Sequence, residues 1–276
     1  MLPLLTLTTD FGTRDSYVAE MKAAVLSLAP GARLVDVTHD VGAHDVVEAA
    51  LTLEAAAARF PAGTVHVAVV DPGVGTARRG IVVTARGQRF VGPDNGLFTP
   101  FLAGEDWRAF ELSERRWQAA TVSRTFHGRD VFAPAAARLA LGLAPDRFGP
   151  AVDDPVRLLW PEVLEGPRRV AGVVLHADRF GNLITSVGAA TLARLGTPLE
   201  IAIAGRRLPL VGTYGDLARG RLGGLVGSRE RLEIVVREGS AAAALRARRG
   251  TRVLVSRTIS RARRSRSSTL RSLPRY

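Results

Sequence analysis

Apolar and polar positions follow two different periods along the first half of the chain. Leu4–Thr8 is a short β-type run that ends at Asp10-Phe11-Gly12. Over Ser16–Leu28 apolar residues recur at helical spacing (Val18, Met21, Val25, Leu28), and Pro30-Gly31 stops the helix. Arg33–Val37 predicts a second strand and Val46–Arg59 an alanine-rich helix ended by Phe60-Pro61-Ala62-Gly63. Thr64–Val70 is a third, strongly apolar strand running into Asp71-Pro72-Gly73-Val74-Gly75. Ile81–Ala85 and Gln88–Val91 read as a hairpin around Arg86-Gly87, and Val131–Leu141 as a further helix. Strands alternating with helices make residues 1–150 an N-terminal α/β domain with a mainly parallel sheet.

The pattern then changes. Pro150, Pro155, Pro161 and Pro167 punctuate a stretch without periodicity, so residues 151–169 read as a linker. Beyond it, short β runs at Val170–Leu175, Leu183–Val187, Leu199–Ile203, Arg207–Val211, Leu232–Val236 and Arg252–Val255 are separated by turn residues. That spacing predicts a smaller C-terminal β-barrel or sandwich over residues 170–255. Residues 256–276 are rich in arginine and serine with little to bury, and are expected to be a disordered basic tail.

Composition narrows the chemistry. The chain has 276 residues, 46% of them apolar, which suffices for two modest cores. It has no cysteine, which excludes disulfides, thiolate zinc sites, iron–sulfur clusters and a cysteine nucleophile. No apolar run approaches the roughly 20 residues of a membrane helix, and the N-terminus lacks a basic n-region. A cytoplasmic protein without membrane attachment is expected. The net charge of +12 suggests a nucleic-acid partner until it is located, for seven arginines and no acid lie in residues 256–276. More than half of the excess therefore belongs to the tail, and contact with nucleic acid is expected, if anywhere, there.

In open α/β sheets ligands sit at the carboxyl ends of the strands. Asp10 follows the first strand and Asp71 the third, each close to a glycine. A single acid there is more often a cap; two favour a site. Gly73-Val74-Gly75-Thr76 lacks the lysine of a phosphate-binding loop and reads as a tight turn. Thr125-Phe126-His127-Gly128-Arg129-Asp130 precedes a helix, with Asp130 as its cap or, alternatively, with His127 directed toward the acids. His39, His44, His66 and His176 read as packed or surface residues. Histidine spacing suited to a transition metal is absent, so no metal site is expected.

Taken together, these segments fall into register with a known family. Thr8-Thr9-Asp10-Phe11-Gly12, Val69–Arg79, Gly92-Pro93-Asp94-Asn95-Gly96, Phe126–Asp130, Asp178–Thr185, and Leu232-Glu233-Ile234 followed by Gly239-Ser240-Ala241-Ala242 occur in order. The set resembles the S-adenosyl-L-methionine (SAM) hydroxide adenosyltransferases, relatives of fluorinating and chlorinating enzymes, over roughly residues 4–255. The resemblance implies a homotrimer with SAM bound between subunits and no cofactor. Its implied reaction is attack of water or hydroxide on the ribose 5′ carbon, releasing adenosine and L-methionine. Asp71, Arg78 and His127 take the positions of the water-activating residues, and Asp10 that of the ribose-binding acid. Asp178, Phe180, Asn182, Ser228, Glu233 and the backbone near Val236 take those that hold the methionine end and the adenine.

The resemblance places Asp71 where halogenating relatives carry a non-acidic residue and Gly128 where their halide pocket forms, which favours hydroxide over halide. Two positions depart from the family pattern: His44 replaces the usual nucleoside-stacking aromatic, and Gly227 replaces an asparagine before Ser228. A halogenase-like transfer and a polyanion-binding protein acting through the tail are the competing expectations.

Overall fold

A computed structural model describes residues 3–258 of the chain. They form two compact units that divide between Trp160 and Pro161. In the first unit β1 (Leu4–Thr9), β2 (Arg33–Thr38), β3 (Val65–Val69), β4 (Gly80–Ala85), β5 (Gln88–Pro93) and β6 (Arg108–Glu111) build one sheet in the order β2-β1-β3-β5-β4-β6. Pairing is parallel from β2 to β5 and antiparallel at β4 and β6. Helix α1 (Tyr17–Leu28) links β1 to β2, α2 (Val46–Ala57) links β2 to β3, and α3 (Ala133–Ala140) follows β6.

Side-chain alternation explains the layering. Leu5 and Leu7 of β1 and Val65, Val67 and Val69 of β3 point to one face, where they pack with Met21 and Val25 of α1 and the alanines of α3. Ala68 and Val70 point the other way, toward Ala49 and Leu53 of α2 and toward Phe90. With apolar residues needed on both faces, β3 reads as a continuous apolar run and is buried throughout. Asp45 starts α2 by accepting a hydrogen bond from Glu48 N at 2.9 Å. Gly92 has no room for a side chain, since a Cβ there would overlap Ala68 O across the β3–β5 pair.

The second unit is an antiparallel sheet ordered β11-β10-β14-β8-β9-β13-β12, with β7 added alongside β8. Its strands are β7 (Leu164–Gly166), β8 (Arg169–Ala177), β9 (Leu183–Gly188), β10 (Leu199–Ile203), β11 (Arg206–Pro209), β12 (Leu222–Val226), β13 (Arg231–Val236) and β14 (Arg252–Arg257). Helices α4 (Ala189–Leu195) and α5 (Ala241–Leu245) are short. The two edges meet where Val211 N donates to Gly224 O at 2.8 Å, nearly closing the sheet into a barrel around Val174, Leu183, Ile201, Ile234 and Val253.

Several details differ from the sequence reading. Strand β6 was not anticipated, being a four-residue edge strand of mixed character. Strand β7 lies inside residues 151–169, which had read as a linker. The helix expected at Val131 begins as a wide π turn, Gly128–Phe132, before α3 takes over. Strand β14 continues past Val255 to Arg257, and Thr258 N donates to Pro198 O at 2.9 Å. The rest of the basic tail lies outside the described residues. No helix among those described is long and apolar enough to cross a membrane.

Candidate active site

Parallel pairing of β1 with β3 sets Thr9 opposite Val69, so both strands end at the same edge of the sheet. Asp10 and Asp71 leave that edge and line one cavity of about 320 Å³ together with His127 and Gly128. Tyr17, Phe11 and Phe126 form its apolar wall, with ring centroids 5.3–5.9 Å apart in edge-to-face contacts. Asp10 Oδ2 accepts from His44 N at 2.9 Å. His44 is exposed and holds φ +64°, a left-handed conformation that turns its N–H toward the acid.

The three residues expected to act on water do converge. Arg78 Nε donates to Asp71 Oδ1 at 2.9 Å and Oδ2 at 3.1 Å, and its Nη2 donates to Asp71 Oδ2 as well. The same Nη2 lies 2.9 Å from His127 Nδ1. Both members of the ion pair are withdrawn from solvent, with side-chain exposures of 12% for Arg78 and 5% for Asp71. The guanidinium also lies 5.2 Å from the centre of the Phe132 ring, delivered by the π turn. Burial, and then the Arg78 charge, hold His127 below the usual imidazole pKa, against opposing pulls from Asp71 and Asp130.

That contact fixes the tautomer. A guanidinium has donors only, so Nδ1 must accept, and the neutral ring carries its proton on Nε2. Arg129 and Asp130 serve a different purpose. Asp130 accepts from Ser123 N at 2.8 Å and from Arg129, which also reaches Glu20 at 2.8 Å, so the pair pins the loop before His127 instead of capping α3.

In the second unit Asp178, Phe180, Asn182, Ser228 and Glu233 line a cavity of about 400 Å³. Asp178 accepts from Phe180 N at 2.9 Å, from Asn182 N at 2.8 Å and from Asn182 Nδ2 at 3.0 Å, shaping the turn that leaves Phe180 75% exposed. Burial, and next Asp178, raise the Glu233 pKa, partly offset by Arg229. A Cβ on Gly227 would overlap the Glu233 carboxylate, so glycine there makes room for the acid. Val236 is not brought to this cavity; it is buried in the barrel core and pairs with Leu222. Sequence reasoning also missed Tyr214, whose hydroxyl accepts from Asn182 Nδ2 at 3.2 Å. No motif flanks it; its place in the lining of this cavity and its contact with Asn182 single it out. Among the described residues no group of acids and histidines is arranged to hold a metal ion.

Comparison with known proteins gives one result for both units. Residues 5–149 match the SAM hydroxide adenosyltransferase N-terminal domain and residues 172–254 the SAM hydroxide adenosyltransferase C-terminal domain. The chain is 44% identical over 261 residues to an (R)-S-adenosyl-L-methionine hydrolase of Thermus thermophilus, covering 91% of this chain and 98% of that one. It is 31% identical to a fluorinase of Actinoplanes sp., over 78% of this chain and 84% of the fluorinase. The crystal structure of an uncharacterized conserved protein from Thermotoga maritima superposes with a TM-score of 0.87 at 31% identity, covering 92% of this chain and all of that one.

Proposed function

The chain belongs to the SAM hydroxide adenosyltransferase family, and from that premise we propose that it hydrolyses SAM to adenosine and L-methionine. The observation that carries the reading is the single guanidinium of Arg78, which grips Asp71 and His127 at once beside Asp10. Three polar groups held together at the end of a parallel sheet suit the task of orienting one water molecule.

The chemistry needs little else. Methionine leaves the sulfonium as a neutral thioether, so no general acid has to assist its departure. A water oxygen forms the new bond to the ribose 5′ carbon as the carbon–sulfur bond breaks, and the water loses a proton. With Nδ1 engaged by Arg78, His127 offers the water an N–H donor and not a lone pair. Asp71 keeps acceptor lone pairs beyond those used by Arg78 and is the group proposed to take the proton, while Arg78 stabilises the developing hydroxide. Asp10 suits the vicinal ribose hydroxyls, because one carboxylate accepts from both. Tyr17 and Phe11 offer six-membered aromatic surface in the same cavity. In the second unit, Asp178 and Glu233 put negative charge at one cavity, as an ammonium group requires, and Phe180, Asn182 and Ser228 complete the proposed contacts.

A cytoplasmic homotrimer working without a cofactor, with SAM held between subunits, completes the proposal and rests on the family resemblance. Incubation with SAM, with and without chloride or fluoride, tests the reading. Adenosine and methionine are expected in all cases; a halogenated adenosine, or no turnover, would overturn it. Sedimentation velocity tests the trimer.

A further inference from the structure

We propose that Asp94 and Asn95 are positioning residues of the active site: this one dipeptide, just after β5, fixes the main chain beside both Asp71 and Arg78. The inference rests on the reading of Asp71, Arg78 and His127 as the set that acts on water. Neither Asp94 nor Asn95 lines the cavity, and no role for them follows from the reaction itself.

Asn95 Nδ2 donates to Val70 O at 2.8 Å, the carbonyl immediately before Asp71. Its Oδ1 accepts from Leu97 N at 3.3 Å, which sets the direction of the amide. Asp94 is almost wholly enclosed, with 2% of its side chain exposed. Its carboxylate accepts from Arg79 Nε at 2.9 Å and Nη2 at 2.8 Å, and its N–H donates to Arg79 O at 2.9 Å. Arg79 directly follows Arg78. Each member of the Asp71–Arg78 pair thus stands one peptide away from an anchor on the same dipeptide.

The anchors are needed because the sheet stops short. Strand β3 ends at Val69 and β4 begins at Gly80, and the connection between them turns through Gly73 and through Gly75 at φ +79°. The dipeptide itself has little freedom to move. Gly92 seats β5 against Ala68, Asp94 also accepts from Val156 N at 2.8 Å, and Gly96, at φ +94°, is packed under Leu158. Rigid support of this kind holds reacting groups to within fractions of an ångström, and a displacement of about 1 Å costs on the order of a hundredfold in rate.

The test uses the full chain with Asn95→Asp, which keeps the shape and the acceptor for Leu97 N but turns a carboxylate toward the Val70 carbonyl, and Asn95→Ala, which removes both the donor and the acceptor without adding a charge. Both variants are expected to lose about ten- to a hundredfold in kcat for SAM, with KM within about twofold of the parent. A second readout needs no substrate: the His127 imidazole titration by NMR, identified by its disappearance in His127→Asn. It should move toward the ordinary histidine value in both variants as Arg78 shifts. A parent-like kcat, or a loss of kcat explained by loss of folded protein with an unchanged His127 titration, would overturn the proposal. If the parent does not hydrolyse SAM, the functional reading fails, and the titration alone then decides the positioning role.

Discussion

His127 faces a guanidinium through Nδ1, so protonating it sets two donors against each other. Loss of activity through His127 is therefore expected in acid, at a pH below the ordinary histidine range because burial and Arg78 depress its pKa. The pH profile of kcat/KM checks this, and His127→Asn should erase that limb. Arg78→Lys keeps the charge but has no planar fork to hold Asp71 and His127 together. A loss of at least about a hundredfold in kcat/KM is expected, with the fold retained, judged by circular dichroism. His66 raises a separate point. It is fully buried, stacks on Phe90 and accepts from or donates to Thr6 Oγ1 at 2.7 Å, and burial lowers its pKa to about 4. Since the unfolded chain binds this proton from about pH 6.5 downward and the native chain only near 4, stability should fall across that window. The loss is about 3 kcal/mol by linkage, fully present only below pH 4. Urea unfolding at pH 7 and pH 4.5, compared with His66→Phe, measures it; an equal slope in both proteins would exclude His66 as the cause.

Among the elements, the β4–β5 hairpin turns through Arg86 (φ +53°) and Gly87 (φ +72°), the pair of left-handed residues that matches strand twist. Gly87→Ala is expected to cost about 1 kcal/mol, and Arg86→Asn to stabilise by a few tenths, both readable in thermal unfolding. This hairpin was legible in the sequence because two apolar runs flank a two-residue turn. Strand β3, and with it Asp71, was legible because burial on both faces of the sheet demands a nearly unbroken apolar run, and β1, with Asp10, because its buried leucines alternate with threonines. Strands β6 and β7 were not, because four and three residues at an edge carry no readable period. The π turn escaped as well: the spacing of Val131–Leu141 is helical, and only packing of Phe132 beneath Arg78 distinguishes a wider first turn. The roles of Asp94 and Asn95 depend on Val70 and Arg79, at the two ends of the β3–β4 connection, and on Val156, which local sequence cannot encode. Tyr214 likewise meets Asn182 only through the closing of the barrel.

For the whole molecule, the end of β14 decides where the chain can be shortened. Removing residues 259–276 takes away six of the seven arginines of the basic segment and none of the hydrogen bonds described. Turnover and melting temperature should be unchanged, while binding to heparin or DNA falls and its salt dependence flattens. Cutting after Val255 instead deletes the Ser256–Arg169 and Arg257–Leu199 pairings and the Thr258–Pro198 bond, and should lower the melting temperature by several degrees. Strand β14 is the last of the described strands in chain order yet sits inside its sheet, between β10 and β8. The order of synthesis therefore matters. Strands β1 to β6 and α3 have all been made by residue 140, so the first sheet can assemble while the rest of the chain is still being translated. The barrel must wait for β14, and until it arrives β10 and β8 each present an unpaired edge. A message truncated before the codons of β14 would leave those edges open, marking the unfinished product for aggregation or proteolysis before it could consume any substrate.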